Sequence, residues 1–254
     1  MRRKKKPSRD NQTLKKEPRR SPRVEAGAVL ASLKRLASKK TREEMGPRYG
    51  VHTDRAFGVP VGKIQQLGKR LGRSHELAAE LWKSGWYEAR MLAAFVDEPL
   101  RVTPAQMDRW CRDFDNWGIC DTVCFKLFDQ VPAAIAFRKV GQWSREKGEF
   151  QKRAAFALLA CVALHDKTTG DAPFVRSLSL IERAATDERN FVKKAVSWAL
   201  RSIGQRSSKL HTLAMATSKR LAASSTAAAR WVGKDALRDL SRPAAERRIQ
   251  SRDR

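Results

Sequence analysis

Eleven consecutive apolar residues, Ala154 to Leu164, stand behind the polar triplet Gln151-Lys152-Arg153 in this 254-residue chain. A helix that is apolar on every side has no face to turn to water, so other elements must cover it all round. The run falls well short of the roughly 18 residues that a membrane-spanning helix needs, so its cover is protein. The pattern predicts a buried central helix over 149–165, with the fold built around it.

What surrounds it also reads as helix. Apolar residues recur with a helical period near 26–38, 60–71, 74–84, 86–96, 104–114, 117–129, 132–144, 173–185, 190–203, 208–221 and 225–240, and no stretch shows convincing strand alternation. Thr41 with Glu44, and Thr103-Pro104 with Gln106, read as capping boxes, the second with proline in the first helical position. Gly72, Gly85 and Gly204 read as glycines just past helix ends. With the central helix this makes twelve helices joined by short links, so consecutive helices should run antiparallel. The expected fold is all-α: a HEAT-like helical-repeat solenoid of about six antiparallel helix pairs, about 40 residues to a pair. A compact irregular bundle is the alternative.

Charge decides the class of partner. Lys and Arg total 53 against 27 Asp and Glu, a net charge of +26. Residues 1–23 hold 11 of those cations against Asp10 and Glu17, with three prolines and a single aliphatic residue, Leu14. Such a segment cannot bury enough apolar surface to offset its chain entropy. The expected organisation is therefore a disordered basic arm over 1–23, a helical repeat domain over 24–240 and a short basic tail over 241–254. The arm carries +9, which leaves +17 on the remainder. An enzyme of neutral metabolites has no use for such a field. A polyanion explains it directly, because each phosphate neutralised releases condensed counterions. A membrane is the rival polyanion, but no apolar run is long enough to span one and none follows the basic N-terminus as a secretory signal would require. Cys111, Cys120, Cys124 and Cys161 make no disulfide framework in a chain of this length. A cytoplasmic, nucleoid-associated setting is expected.

Three segments carry candidate chemistry. In Asn116-Trp117-Gly118-Ile119-Cys120-Asp121, a helical turn of about 100° per residue places Asp121 about 40° from Trp117, so a carboxylate is set into the aromatic edge of an apolar face. It can pair with a neighbouring arginine; partly desolvated beside an indole, it can instead stabilise a developing cation. Arg153, at the head of the central helix, can present its guanidinium to a groove or pair with an acid. In 190–203, Val192, Val196, Ala199 and Ile203 form one apolar face, and Trp198 points about 120–160° away from it among Lys194 and Arg201. An indole displayed among cations suits stacking on sugars or bases while the cations hold phosphates.

Other constellations are weaker. Cys120 and Cys124 lie one turn apart, but His52, His75, His165 and His211 are scattered, so no metal is expected. Gly62-Lys63 and Gly233-Lys234 lack a phosphate-loop context. Trp82, Trp86, Trp110, Trp143 and Trp231 read as inter-helix packing.

The order and spacing of the three segments resemble the AlkD-type DNA alkylation repair proteins. The resemblance rests on a Trp followed four residues later by Asp (Trp117, Asp121) and on an Arg opening an apolar helix (Gln151-Lys152-Arg153-Ala154-Ala155). A Trp within Phe191-Val192-Lys193-Lys194-Ala195-Val196-Ser197-Trp198-Ala199-Leu200-Arg201 completes it. Gly58-Val59-Pro60 through Phe95, with Glu80-Leu81-Trp82 and Glu88-Ala89-Arg90, is similar in style, and the likeness covers roughly 45–205. It implies HEAT-like repeats, a monomer acting on double-stranded DNA with alkylated bases, and removal of purines alkylated at N3 or N7 without metal or cofactor. Asp121 would be the catalytic carboxylate, and Trp117 and Trp198 lesion-contacting aromatics. Arg153 would contact phosphate or backbone, with Lys152, Lys194 and Arg201 as further DNA contacts. Gly118 departs from the pattern, since the family often carries an acid there. The rival readings are a non-catalytic nucleic-acid or lesion-sensing binder and a peptide-binding adaptor solenoid.

Overall fold

The computed structural model describes residues 21–243, and these hold thirteen α-helices, two short 3₁₀ turns and no strand. The helices are α1 (Pro22–Arg35), α2 (Lys39–Tyr49), α3 (Val61–Leu71), α4 (His75–Lys83), α5 (Tyr87–Val96), α6 (Pro104–Arg112) and α7 (Trp117–Lys126). They continue as α8 (Ala133–Trp143), α9 (Glu149–His165), α10 (Ala172–Ala184), α11 (Asn190–Gly204), α12 (Ser208–Ala222) and α13 (Ala227–Leu240). No helix of the described residues is long and apolar enough to cross a membrane. α1 takes in Pro22 and Arg23, which the sequence assigns to the basic arm. Residues 1–20 of that arm, and all but the first residues of the C-terminal tail, lie outside the described residues.

From α3 onward the odd-numbered helices pack in succession, α3 on α5, α5 on α7, α7 on α9, α9 on α11 and α11 on α13. The even-numbered helices α8, α10 and α12 form a second row, each against the odd-numbered helix that follows it. This two-row, antiparallel stacking is the helical-repeat plan expected from lengths and links. α9 lies at its centre, between α7, α8 and α11, and is buried without a break from Arg153 to Ala163. Its lack of a polar face is satisfied by neighbours on every side.

Local signals explain several helix ends. Thr103 accepts from the Gln106 amide at 3.1 Å with Pro104 in the first turn, and Gly72 and Gly85 take positive φ, both as expected. Gly204 does not: it is the last residue of α11 with an ordinary helical backbone, and a Cβ there would meet Leu240 at 2.8 Å and Ala214 at 2.9 Å. It is kept small by close helix approach rather than by a left-handed turn.

α2 has no counterpart among the twelve expected segments. It reads Lys-Lys-Thr-Arg-Glu-Glu-Met-Gly-Pro-Arg-Tyr, buries Met45 alone and contains Gly46 and Pro47, so it offers no apolar stripe to detect. The capping box expected at Thr41 and Glu44 shifts accordingly. Ser38 is the cap, accepting from the Thr41 amide at 3.3 Å. Met45 belongs with Val51 and Ala56 to a small cluster separate from the main core, against which Tyr87 and Trp117 pack.

Trp82, Trp110 and Trp143 are buried, and Trp86 stacks on Phe57. Trp82 and Trp110 stack at 3.9 Å, and the indole N–H groups of Trp82 and Trp143 donate to Asp113 and Asp108, so the polar edges of those two rings are satisfied. Trp231 departs from the packing expectation. It is 38% exposed, with the Lys193 ammonium 5.5 Å from its ring.

Candidate active site

Asn116 starts α7 by accepting the Ile119 amide at 3.0 Å. That cap fixes Trp117 in the first helical position, where its indole N–H donates to the Tyr49 carbonyl at the end of α2, 2.8 Å away. One turn on, Asp121 faces α9 and meets Arg153 in a two-pronged pair, Nε to Oδ1 at 2.8 Å and Nη2 to Oδ2 at 2.7 Å. The remaining arm of the guanidinium donates from Nη1 to the Phe191 carbonyl at 2.6 Å, at the head of α11. One side chain thus ties three successive helices of the odd-numbered row. The geometry suits Arg, whose planar fork matches a carboxylate with two parallel bonds.

The two partners differ in access. The Arg153 side chain is 8% exposed and that of Asp121 is 22% exposed, so the carboxylate keeps an open edge while the guanidinium is sealed behind it. Burial pushes the Asp121 carboxyl above its ordinary range, and the charge and hydrogen bonds of Arg153 pull it back only in part. Burial also opposes the charge on Arg153, but Asp121 outweighs it and holds the guanidinium above its usual value. The arrangement is a desolvated carboxylate held by a fixed cation, one turn from an indole.

Of the two places the sequence leaves open for Arg153, the structure shows the pairing with an acid, and each of its three nitrogens gives one N–H to Asp121 or to the Phe191 carbonyl. Lys152 is also engaged, donating to Asp187 at 3.2 Å. Asp187 is gripped by Arg189 as well, which with Lys152 draws its carboxyl down to about 2. Arg201 lies 3.7 Å from Asp235 and 3.9 Å from Asp239 on α13. Of the four cations expected to face DNA, Lys194 is exposed and makes no ion pair among the described residues. Trp198 is half-buried against the main core and retains an exposed part. It stands seven residues after Phe191, two turns or roughly 10 Å along α11 on the same helix face. Trp198 therefore shares a face of α11 with the ring that lies 5.9 Å from the Arg153 guanidinium.

Gly118 has a direct explanation. A Cβ built there would stand 2.4 Å from the Tyr87 phenol oxygen and 3.2 Å from Asn116 Oδ1. The space an acid would need is taken by the tyrosine, whose phenol burial pushes well above its ordinary value. Cys120 and Cys124 donate to the α9 carbonyls of Phe150 and Ala154, each at 3.7 Å, as small core residues do. No group of three potential metal ligands occurs among the described residues.

Sequence reasoning does not single out Phe191, Tyr49, Tyr87 or the charge of Glu88. Glu88 is wholly buried and accepts the backbone N–H groups of Phe57, Gly58 and Val59 at 2.7 to 3.1 Å. That fixes the turn into α3 against the start of α5. A Glu at the head of a helix whose remaining residues are mostly apolar is the signal that could have found it.

A family model described as a DNA alkylation repair enzyme matches residues 29–240. Among solved structures, one described as "a new family of proteins related to the HEAT-like repeat DNA glycosylases with affinity for branched DNA structures" is similar with a TM-score of 0.67. That match has 19% identity and covers 76% of this chain and 81% of the other. The smu.31 protein from Streptococcus mutans UA159 is similar with a TM-score of 0.51 and 18% identity, over 85% of this chain and 98% of its own. At such identities the likeness is one of fold, and it is the HEAT-like repeat. No curated protein matches the chain.

Proposed function

Because the chain belongs to the DNA alkylation repair enzyme family, we propose that it is a DNA glycosylase that excises purines alkylated at N3 or N7 from duplex DNA. The observation that carries this reading is Asp121, a desolvated carboxylate fixed by Arg153 with one edge open, a turn away from Trp117. Alkylation at N3 or N7 leaves the purine cationic and already a good leaving group, so the bond to the sugar breaks with little acid catalysis. Positive charge then develops on the deoxyribose as an oxocarbenium-like centre.

Asp121 opposes that charge and orients water toward it, an electrostatic contribution of about 3–4 kcal/mol for a single well-placed group. Arg153 is a positioning residue: it fixes the carboxylate. Trp117 and Trp198 contact the sugar and the cationic base, each through cation–π attraction of roughly 0.5–2 kcal/mol. Lys194 is the open cation for phosphate, and the net charge of +26 draws the duplex in.

A second reading is favoured by two observations. The two-pronged pair neutralises Asp121, which suits a binder as well as a catalyst, and the protein similar to this one at a TM-score of 0.67 has affinity for branched DNA. Incubation with plasmid methylated at purine N7 separates the two. The glycosylase reading expects alkali-labile abasic sites to accumulate with time. Tight binding of four-way junctions with no such sites, over linear duplex, is the result for the second reading.

A further inference from the structure

A hollow of about 430 Å³ lies at the end of α5, between the last turns of α3 and α7. Three cations line it: Lys69 from α3, Arg73 from the turn that follows, and Lys126 from the end of α7. No carboxylate does. The hollow beside Pro22 differs, since it mixes Arg73 and Arg101 with Glu25, Glu76 and Glu98. Gly68 brings the walls together. A Cβ there would stand 2.9 Å from the Phe95 Cβ, so its absence lets α3 settle on α5 and places Lys69 at the rim. Lys69 and Arg73 are exposed, and Arg73 is steadied by donating to the Asp97 carbonyl. Three like charges around one concavity focus its field and leave it without a counter-ion of its own, the setting that gathers an external anion.

Its place relative to Asp121 follows from α7. Trp117, Asp121 and Phe125 come at four-residue steps and so lie within about 80° of one another around the helix. The Lys126 ammonium rests over the last of these rings, 4.6 Å from its centre. The cations therefore lie on the side of α7 that carries the carboxylate, displaced toward the far end of the helix. Trp117 and Lys126 are nine residues, roughly 13 Å, apart along the axis. That distance crosses a groove of B-DNA, about 6 Å wide for the minor and about 12 Å for the major. From this placement we infer that the hollow takes backbone phosphates of the strand opposite the one whose sugar meets Asp121. The inference rests on the proposed action on duplex DNA for its ligand. The two strands are then held at the two ends of α7, and only a duplex offers both. A cation in the last turn of a helix also offsets the helix dipole, but that role serves the fold alone and leaves DNA binding unmoved.

The test uses the whole protein and undamaged DNA, so no bond need be broken. Fluorescence anisotropy follows a labelled duplex, and the same labelled strand alone, across a series of salt concentrations. Lys69→Ala, Arg73→Ala and Lys126→Ala are combined in one variant, whose fold is checked by circular dichroism. The inference expects the duplex slope of log affinity against log salt to fall by about 2.7, at about 0.9 for each phosphate released. Duplex affinity at about 0.15 M salt should drop about 10²-fold, each contact being worth about five-fold there. Affinity for the single strand should stay within about two-fold of the unaltered protein. Unchanged duplex binding overturns the inference and leaves the three cations to the helix ends. Equal losses on duplex and single strand overturn it as well, since the hollow would then follow one strand only. A protein that shows the duplex-specific loss but excises nothing keeps the hollow and loses the glycosylase reading. One that excises alkylated purines with no such loss does the reverse.

Discussion

Two polar seams run between neighbouring helices of the odd-numbered row, and they are built in opposite ways. Between α7, α9 and α11 a single buried guanidinium makes the charged connection, to both oxygens of Asp121 and to the Phe191 carbonyl. Between α11 and α13 the work is divided along a ladder with a rung each turn. Lys193 lies over Trp231, Ser197 donates to Asp235 at 2.6 Å, Arg201 reaches Asp235 and Asp239, and Gln205 donates to Asp239 at 2.8 Å. The ladder is partly exposed and redundant, so losing one rung leaves the others. The inner seam has one cation on its carboxylate, and that carboxylate stays desolvated. A structural seam gains from many weak links, whereas a site that must hold one charge in one place concentrates them.

The largest expected effect breaks this contrast directly. Arg153→Met leaves Asp121 buried without its partner and should destabilise the fold by about 3–5 kcal/mol, read by urea denaturation. Adding Asp121→Asn to that variant should recover most of the loss, because the stranded charge is removed. Next, Trp198→Ala should slow excision of N7-methylguanine by roughly ten-fold, measured under single turnover. The pH dependence sharpens the account of the site. Catalysis needs Asp121 ionised and burial raises its carboxyl, so the rate should fall with decreasing pH at a midpoint above that of an ordinary aspartate. A profile flat down to the usual aspartate range would show that the group is not desolvated in function. For binding, Lys194→Ala should lower the slope of log affinity against log salt by about 0.9, whereas Lys152→Ala should change it less because that ammonium is bound to Asp187. The smallest effect belongs to the ladder. Arg201→Met should cost about 1 kcal/mol or less in the same urea assay, as a partly exposed pair does.

What the sequence made legible follows from how local each signal is. An eleven-residue apolar run has one solution, a covered helix, and α9 is that helix. The Thr103 cap and the turn glycines at Gly72 and Gly85 act within a few residues and read correctly. Asp121 and Trp117 share a helix, so their relation follows from period alone. The meeting of Asp121 with Arg153 is left open by the period, since an arginine at a helix mouth serves groove and ion pair equally well until the partner helix is placed. Arg201 looks like a free cation because Asp235 and Asp239 lie more than thirty residues further on. α2 stays hidden because a helix held through one methionine carries no stripe. The reason for Gly118 lies in Tyr87, which only the packing of α5 on α7 brings against it.

One substitution tests the central claim most directly. Asp121→Asn keeps the size of the side chain and can still hydrogen-bond, but it removes the charge set against the developing sugar cation. Single-turnover excision from N7-methylated duplex should fall by about 10²–10³-fold while affinity for the same DNA is retained. Excision at the unaltered rate, with the asparagine variant folded and bound, would contradict the account.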